Sequence, residues 1–206
     1  MLWQRLLFGA LLIAALLGLC YADDRLPEML KQSEWVDASR GGIVTAIVAV
    51  LAVLASIELA KLLRGAGHNP LVGLAALVSV VLVVAPHAAR IYGGAADADG
   101  LEGKLSLAAI VLCLAAGFIN IGARRSVRGA SGDLAATLLV VVYVGVLLSF
   151  LVRIRQHPAG SVGTLLFIIA TIKACDIGAY FTGLTIGRHK LIEWLSPKKT
   201  REGLMG

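Results

Sequence analysis

Residues 162–186 are VGTLLFIIATIKACDIGAYFTGLTI, and this stretch decides the fold class. About 20 apolar residues in a helix cross the hydrocarbon core of a bilayer, where only helices or closed barrels satisfy the backbone hydrogen bonds. The stretch also contains Lys173 and Asp176, two side chains that are costly at membrane depth. We therefore expect a membrane-spanning helix that carries polar chemistry.

Apolar runs of similar length fill most of the remaining sequence, which is 58% hydrophobic and 16% charged. The other runs are residues 6–22, 43–63, 71–89, 105–123 and 134–152. Together the six runs predict an all-α, polytopic transmembrane helical bundle of about six helices, forming a single integral-membrane domain over residues 1–206. Between the first two runs, residues 23–42 are consistent with either a short interfacial helix or a loop.

The N-terminal run also has features of a secretory signal peptide, with one early cation followed by an apolar core. We favour an uncleaved first helix for two reasons. The run is longer than a usual signal core, and Leu19 before Cys20 is too large for a lipoprotein cleavage site.

The distribution of cations argues against a nucleic-acid-binding protein, despite a net charge of +6. Lys and Arg residues occupy short inter-helix segments instead of one face or one tail, which is the pattern of a topology signal. Placing the N-terminus in the cytoplasm puts the larger share of cations there, together with the C-terminal segment. The acidic stretch that contains Asp97, Asp99 and Glu102 then lies outside, where we expect a solvated turn.

Two other features of the apolar runs allow a plain structural interpretation. Cys20, Cys113 and Cys175 each lie in an apolar run without CxxC spacing, so we expect them to pack as small hydrophobic side chains. Glu58 precedes Lys61 by three residues, which is consistent with an ion pair at the interface or with a role in a site.

The sixth run places Lys173 and Asp176 one turn apart on the same helix face, where we expect them to face the bundle interior or a polar cavity. At about 1.5 Å per residue, Asp176 lies roughly 22 Å beyond the start of the helix, within the cytoplasmic leaflet. Two interpretations are open. The residues form a mutually neutralising pair, or Asp176 binds a divalent cation, since Mg²⁺ needs only one or two carboxylates together with substrate phosphates.

The segment SPKKTREG, from Ser196 to Gly203, predicts a short helix because Ser196 is a good N-cap and Pro197 suits the first helical position. Lys198 and Lys199 then lie in the first turn, which is unfavourable for the helix dipole unless an anion is bound there. Arg201 could add a bidentate contact to a phosphate. The alternative is a juxtamembrane cluster that contacts lipid headgroups.

Several of these residues resemble a known family, the phosphatidate cytidylyltransferases or CDP-diacylglycerol synthases. The resemblance lies in DIGAYF at 176–181, GRHKL at 187–191 and SPKKT at 196–200, followed by Glu202 and Gly203. It implies a multi-pass and usually dimeric enzyme that condenses CTP with phosphatidic acid to give CDP-diacylglycerol and pyrophosphate. It also implies Mg²⁺ or another hard divalent cation, and a cell membrane location that we expect to be a bacterial inner membrane.

The resemblance implies roles for individual residues of this sequence. Asp176 would be a catalytic residue and the metal ligand, and residues 187–206 would form a cytoplasmic segment that binds substrate phosphates. Glu202 would orient that segment or contact the metal. The remaining implied residues are Lys198 and Lys199 in catalysis, and Ser196, Thr200, Arg201 and Lys173 in substrate binding.

The family's pattern extends beyond SPKKT into further helices and a second acidic motif, whereas this sequence stops at Gly206. We therefore expect a C-terminally truncated chain that lacks a complete site and is inactive alone. Three other functions compete with this interpretation: a related lipid-alcohol kinase, a small membrane transporter, and a non-catalytic membrane partner.

Overall fold

The computed structural model describes residues 2–29, 39–124, 129–157, 161–192 and 196–205, without the side chains of residues 2–6, 8–10, 12, 94–96, 124, 192, 197 and 198. The chain forms two compact units, Met1–Val162 and Gly163–Gly206. The first unit contains α1 (Leu2–Met29), α2 (Gly42–Gly65), α3 (Val72–Arg124), α4 (Ala130–Val140), a π-helical segment (Val141–Val146) and α5 (Leu147–Gln156). The chain continues with α6 (Val162–Thr185), β1 (Lys190–Ile192), β2 (Ser196–Thr200) and α7 (Arg201–Met205).

Five helices among the described residues are long and apolar enough to cross a membrane, which confirms the predicted all-α, multi-pass membrane fold. They are Gly42–Gly65, Val72–Gly93, Asp97–Ala123, Ala130–Gln156 and Val162–Thr185. Each corresponds to one of the predicted runs. The remaining predicted run, 6–22, lies within α1, but several of its side chains are outside the described part, so this span stays a prediction.

Helix α1 continues past the end of the predicted run to Met29, so the first residues of the predicted interfacial stretch belong to the same helix. The remainder of that stretch, residues 30–38, lies outside the described residues.

Helix α3 reverses direction between its two spans, although residues 72–124 are helical throughout. Near the start of α3, the Leu71 N–H donates to Thr137, and near its end Gly117 lies against Leu134. In a straight helix, residues 71 and 117 would be about 69 Å apart. Their partners, Thr137 and Leu134, are only one turn apart on α4. The spans Val72–Gly93 and Asp97–Ala123 therefore run antiparallel and pack against the same neighbouring helix.

The acidic stretch that contains Asp97, Asp99 and Glu102 does not form the expected turn, because these residues are helical and belong to α3. Asp97 and Asp99 are exposed residues of this helix. Glu102 is mostly buried and forms an ion pair with Arg153 of α5. The acidic residues are thus part of helix α3 and not of a loop.

Small side chains line the contacts between the helices of the first unit. Ala52 and Ala60 of α2 and Ala75 and Ala89 of α3 are fully buried, while many Leu, Ile and Val residues remain exposed. In lipid, the hydrophobic effect does not drive helices together, and small residues favour close packing. At the π-helical segment, a Cβ on Gly145 would lie 2.8 Å from the Cα of Ser79, so the backbones meet there.

A buried ion pair joins α1, α2 and α5. Asp23 is fully buried and Arg155 is 2% exposed, with 2.8 Å between Asp23 Oδ2 and Arg155 Nε. The other carboxylate oxygen of Asp23 accepts hydrogen bonds from the backbone N–H groups of Ile43 and Val44, at 2.9 and 3.3 Å. Asp23 therefore caps the start of α2, whose first N–H groups have no acceptor within the helix.

The short helix predicted to begin at Ser196 was also wrong, because Ser196–Thr200 forms strand β2 and the helix begins at Arg201. Strand β2 pairs antiparallel with β1, with Lys190 opposite Thr200 and Ile192 opposite Ser196. A helical first turn would have placed cations at the positive end of a helix dipole, whereas a strand avoids this repulsion. Pro197 is compatible with β2, since proline occurs in edge strands.

Candidate functional site

The site residues predicted from the sequence fall into two groups within the second unit, one on α6 and one in the C-terminal segment (residues 187–192 and 196–205). On α6, Lys173 Nζ lies 3.8 Å from Asp176 Oδ2, so the predicted same-face pair is formed. Both side chains are 71% exposed. We expected this pair to face the bundle interior or a polar cavity. The described part of the chain does not enclose it, because few residues of α6 are buried.

Glu202 holds the C-terminal segment together through four hydrogen-bond contacts. Its carboxylate accepts from the backbone N–H groups of Arg188 and His189 at 3.2 to 3.3 Å, and from the His189 ring Nδ1 at 2.7 Å. The hydrogen bond from the His189 ring, together with those from backbone N–H groups, lowers the pKa of Glu202 to about 2. Glu202 is therefore ionised at neutral pH and ties the start of α7 to the end of α6.

Thr200 and three glycines bring the C-terminal segment against α6. A Cβ on Gly187 would overlap the Gly183 carbonyl oxygen, and a Cβ on Gly203 would lie 2.8 Å from the Ala179 carbonyl oxygen. A Cβ on Gly183, Gly187 or Gly203 would also lie within about 3 Å of Thr200 Oγ1. This oxygen accepts a hydrogen bond from the Gly203 N–H at 3.2 Å. The Thr200 hydroxyl thus faces α6, and its visible contacts are packing contacts.

Exposed cations surround the paired backbones of the C-terminal segment. The antiparallel register and a 2.9 Å hydrogen bond from the Arg201 N–H to the His189 carbonyl bring residues 188–190 beside residues 199–202. We call the following four exposed residues the cation group: Arg188, Lys190, Lys199 and Arg201. Adjacent strands lie about 4.8 Å apart, so the positive charges concentrate in one small region. Such a region attracts phosphate oxygens.

The other two predicted phosphate-binding residues also lie in β2. Ser196 is half-buried and pairs with Ile192, while the side chain of Lys198 is outside the described part. Successive residues of a strand alternate between its two faces, unlike those of a helical turn. This alternation explains why Lys199 is exposed while the neighbouring Thr200 faces the glycines.

Asp176 lies close to the point where the C-terminal segment meets α6. Gly203 contacts the helix at Ala179, which is three residues after Asp176 and therefore on the same face, about 4.5 Å farther along the axis. The structure thus brings the acid-bearing turn of α6 near the segment that carries the cation group. Positions along the sequence do not reveal this proximity, because the proximity depends on the chain turning back after Thr185.

The donors present are suited to a metal ion that is shared with a phosphate ligand. Asp176 offers one exposed carboxylate, and among the described residues no group of three or more His, Cys, Asp or Glu side chains could hold a metal. Both oxygens of Glu202 already accept hydrogen bonds, which favours an orienting role over metal contact. Mg²⁺ commonly uses one or two carboxylates with substrate phosphates, so Asp176 fits this mode of binding.

The contact between His189 and Glu202 is the feature that sequence reasoning missed. The residues are 13 positions apart, which matches no helical or strand repeat, and their contact depends on the pairing of β1 with β2. Outside this site, Glu58 and Lys61 form the predicted ion pair at 2.7 Å with both side chains well exposed. The three cysteines are free, with Cys20 and Cys113 buried as expected and Cys175 exposed.

Comparison with known proteins gives a consistent result. The model of the cytidylyltransferase family matches residues 36–206. A phosphatidate cytidylyltransferase of Mycobacterium bovis is 28% identical over 174 residues, covering 78% of this chain and 52% of the relative. One from Staphylococcus epidermidis is 26% identical over 167 residues, covering 81% and 59%.

A shorter match, to a phosphatidate cytidylyltransferase of Staphylococcus saprophyticus, is 35% identical over 74 residues and covers 36% of this chain and 27% of the relative. The chain thus spans between half and three fifths of the length of the two longer-matching relatives. No solved structure matches it.

Proposed function

Because this chain belongs to the cytidylyltransferase family, we propose that it takes part in cytidylyl transfer from CTP to phosphatidic acid, giving CDP-diacylglycerol and pyrophosphate. The relatives named above are phosphatidate cytidylyltransferases. The observation that carries the proposal is the C-terminal segment, where, among the described residues, the four exposed cations of the cation group accompany one acid, Glu202, whose carboxylate is already hydrogen-bonded. Such a surface suits a highly charged nucleoside triphosphate.

The proposed reaction needs positioning and charge neutralisation more than covalent catalysis. An oxygen of the lipid phosphate attacks the α-phosphorus of CTP, and the bond from this phosphorus to the bridging oxygen of the pyrophosphate breaks. Lys199 and Arg201 are exposed and would neutralise phosphate oxygens, with Lys198 of the same strand in the same role. Ser196 would bind phosphate from the start of that strand.

Asp176 is the proposed ligand of a divalent cation, Mg²⁺ or another hard ion, with substrate phosphates completing the coordination. When bound, the ion would supply further neutralisation of phosphate charge. Lys173 lies 3.8 Å from the Asp176 carboxylate and is placed to bind the same phosphates. We assign Thr200 to holding β2 against α6, because its hydroxyl faces the three glycines. We assign Glu202 to orienting the segment.

We also propose a location in the bacterial inner membrane, with the N-terminus and the C-terminal segment in the cytoplasm, where CTP is available. The chain is a multi-pass membrane protein, and the relatives above are bacterial. We propose a homodimer as well, since α6 has a largely exposed apolar surface that includes Phe167, Ile177 and Phe181. Cross-linking in membranes that gives only monomers would contradict the dimer.

Labelled CTP tests the reaction in membranes from cells that express the complete gene that encodes this chain. With phosphatidate and Mg²⁺ present, we expect label from the α-phosphate of CTP, and none from the γ-phosphate, to appear in lipid. Asp176→Asn should reduce this transfer at least a hundredfold, because the loss of charge removes the metal ligand.

The matched control is Asp99→Asn, which makes the same change at an exposed acid in the first unit and should leave transfer unchanged. Label from the γ-phosphate in lipid would indicate a lipid kinase instead. Full transfer by Asp176→Asn would remove this residue from the mechanism.

A further inference from the structure

His189 is held by Glu202 in a way that fixes which ring nitrogen carries a proton. A carboxylate can only accept hydrogen bonds, and the low pKa of Glu202 keeps it ionised at neutral pH. The 2.7 Å contact from Nδ1 to Glu202 Oε1 therefore requires a proton on Nδ1. In the neutral ring, Nε2 is then unprotonated and lies on the opposite edge from Glu202.

The outer edge of this ring is available to a ligand. The side chain of His189 is 73% exposed, whereas that of Glu202 is 23% exposed. In the described part of the chain, the ring's hydrogen-bond contact is the one to Glu202 through Nδ1. A carboxylate that fixes one ring nitrogen and leaves the other outward is a common way to orient a functional histidine.

The surroundings of His189 favour a phosphate ligand. Arg188 and Lys190 flank it in sequence, and the backbone of Arg201 is hydrogen-bonded to its carbonyl oxygen. All three side chains are exposed and positive. An imidazole nitrogen can accept a hydrogen bond from a protonated phosphate oxygen or, when protonated, donate one to an ionised oxygen.

We infer that His189 contacts a substrate phosphate through Nε2, and that Glu202 is the positioning residue that orients the ring. This inference rests on the proposed function for the identity of the substrates, CTP and a lipid phosphate. It adds His189 to the proposed site, beside the phosphate-binding residues of β2 and the proposed metal ligand Asp176. It also gives Glu202 a second task besides tying Arg188 and His189 to α7.

Nitrogen-15 NMR of the histidine rings tests the geometry directly. The protein is labelled at histidine and reconstituted in phosphatidylcholine nanodiscs, and His189→Gln identifies the His189 signals. Without ligand we expect the tautomer with the proton on Nδ1. In Glu202→Gln we expect a mixture of tautomers, because an amide can either donate to Nδ1 or accept from it. An unchanged tautomer in Glu202→Gln would overturn the positioning role.

Titration with inorganic pyrophosphate tests the ligand. We expect pyrophosphate to shift the Nε2 signal of His189 and His189→Gln to weaken pyrophosphate binding about tenfold or more, since hydrogen bonds to charged groups contribute about 1.5–3 kcal/mol. His68→Gln, which changes an exposed histidine of the first unit, is the control and should bind normally. Unaltered pyrophosphate affinity in His189→Gln would overturn the inference.

Two further arms identify the source of the phosphate and separate the inference from the proposed function. A shift with CTP in solution assigns His189 to the nucleotide, whereas a shift on replacing part of the phosphatidylcholine with phosphatidate assigns it to the lipid. A shift with pyrophosphate but no transfer of label from CTP would retain this inference and overturn the proposed reaction. Transfer of label from CTP with no response of His189 to any phosphate would overturn this inference and retain the proposed reaction.

Discussion

At the scale of single residues, the buried ion pair of the first unit and the charges of the proposed site in the second unit have different surroundings. In the first unit, Asp23 and Arg155 are both buried, and Asp23 also caps α2. In the second unit, Lys173, Asp176 and the cation group are exposed. Buried charges need a partner because removal from water is costly, whereas exposed charges are hydrated and accessible to a ligand from solution. The first arrangement serves stability and the second suits binding.

The buried pair gives a stability prediction. Arg155→Met should lower the free energy of unfolding by about 3–5 kcal/mol, because it leaves the Asp23 carboxylate buried without its counterion. The double variant Asp23→Asn with Arg155→Met should recover most of this loss, since it removes both charges and keeps an oxygen for the Ile43 N–H. Denaturant unfolding in detergent measures both values.

The control for this experiment is Arg25→Met, which removes one partner of the exposed Arg25–Glu28 pair. Exposed pairs contribute at most about 1 kcal/mol, so this variant should unfold almost like the original protein. Equal destabilisation by Arg155→Met and Arg25→Met would argue against a buried ionic link.

At the scale of elements, the C-terminal segment depends on close backbone contacts with the end of α6. Gly183, Gly187 and Gly203 meet around Thr200, and each glycine lacks the Cβ that would collide there. Glu202 adds hydrogen bonds to the turn that follows α6. The segment's position thus depends on residues that do not themselves carry the proposed chemistry.

Gly187→Ala should release the C-terminal segment from α6. The added Cβ would overlap the Gly183 carbonyl oxygen and approach Thr200, so the backbone must shift. We expect the amide hydrogens of Arg188 and His189 to exchange with solvent about tenfold faster or more, because their hydrogen bonds to Glu202 would weaken. Hydrogen-exchange mass spectrometry measures the change.

Gly122→Ala serves as the control, since a Cβ at Gly122 would meet no atom within 4 Å. It should leave exchange in residues 188–202 unchanged. Normal exchange in Gly187→Ala would mean that the close approach of the glycines does not hold the segment in place.

At the scale of the whole molecule, the main architectural feature of the first unit is the reversal within α3. Leu77 in the first span and Leu107 in the second are both well exposed and lie at about the same height along α4 and the π-helical segment. In a straight helix they would be about 45 Å apart along the axis. As antiparallel neighbours they are separated by about two helix diameters.

Spin labels on cysteines at positions 77 and 107 allow the distance between the two spans to be measured by double electron–electron resonance spectroscopy. After replacement of the native cysteines, we expect a distance of about 30 Å or less, because two helix diameters amount to only 20–24 Å. Labels at 107 and 118 lie on one span. They should give about 16 Å, plus the length of the labels, whether or not α3 reverses. A distance near 45 Å for the first pair would exclude the reversal.

The sequence alone determined the membrane fold, because apolar runs of about 20 residues leave few structures other than helices in lipid. It also determined the pairs Glu58–Lys61 and Lys173–Asp176, since residues three apart meet on any helix. The local resemblance around residues 176–203 pointed to the family that the chain matches.

Only the tertiary structure decided the contacts between residues distant along the chain. The reversal within α3, the Asp23–Arg155 pair and the contact of His189 with Glu202 all depend on how elements pack. The same reason explains the wrong short helix at Ser196. Its local signals were those of a helix start, but pairing with β1 gave the backbone of β2 other hydrogen-bond partners. Local preferences are weak, and tertiary hydrogen bonds and packing override them.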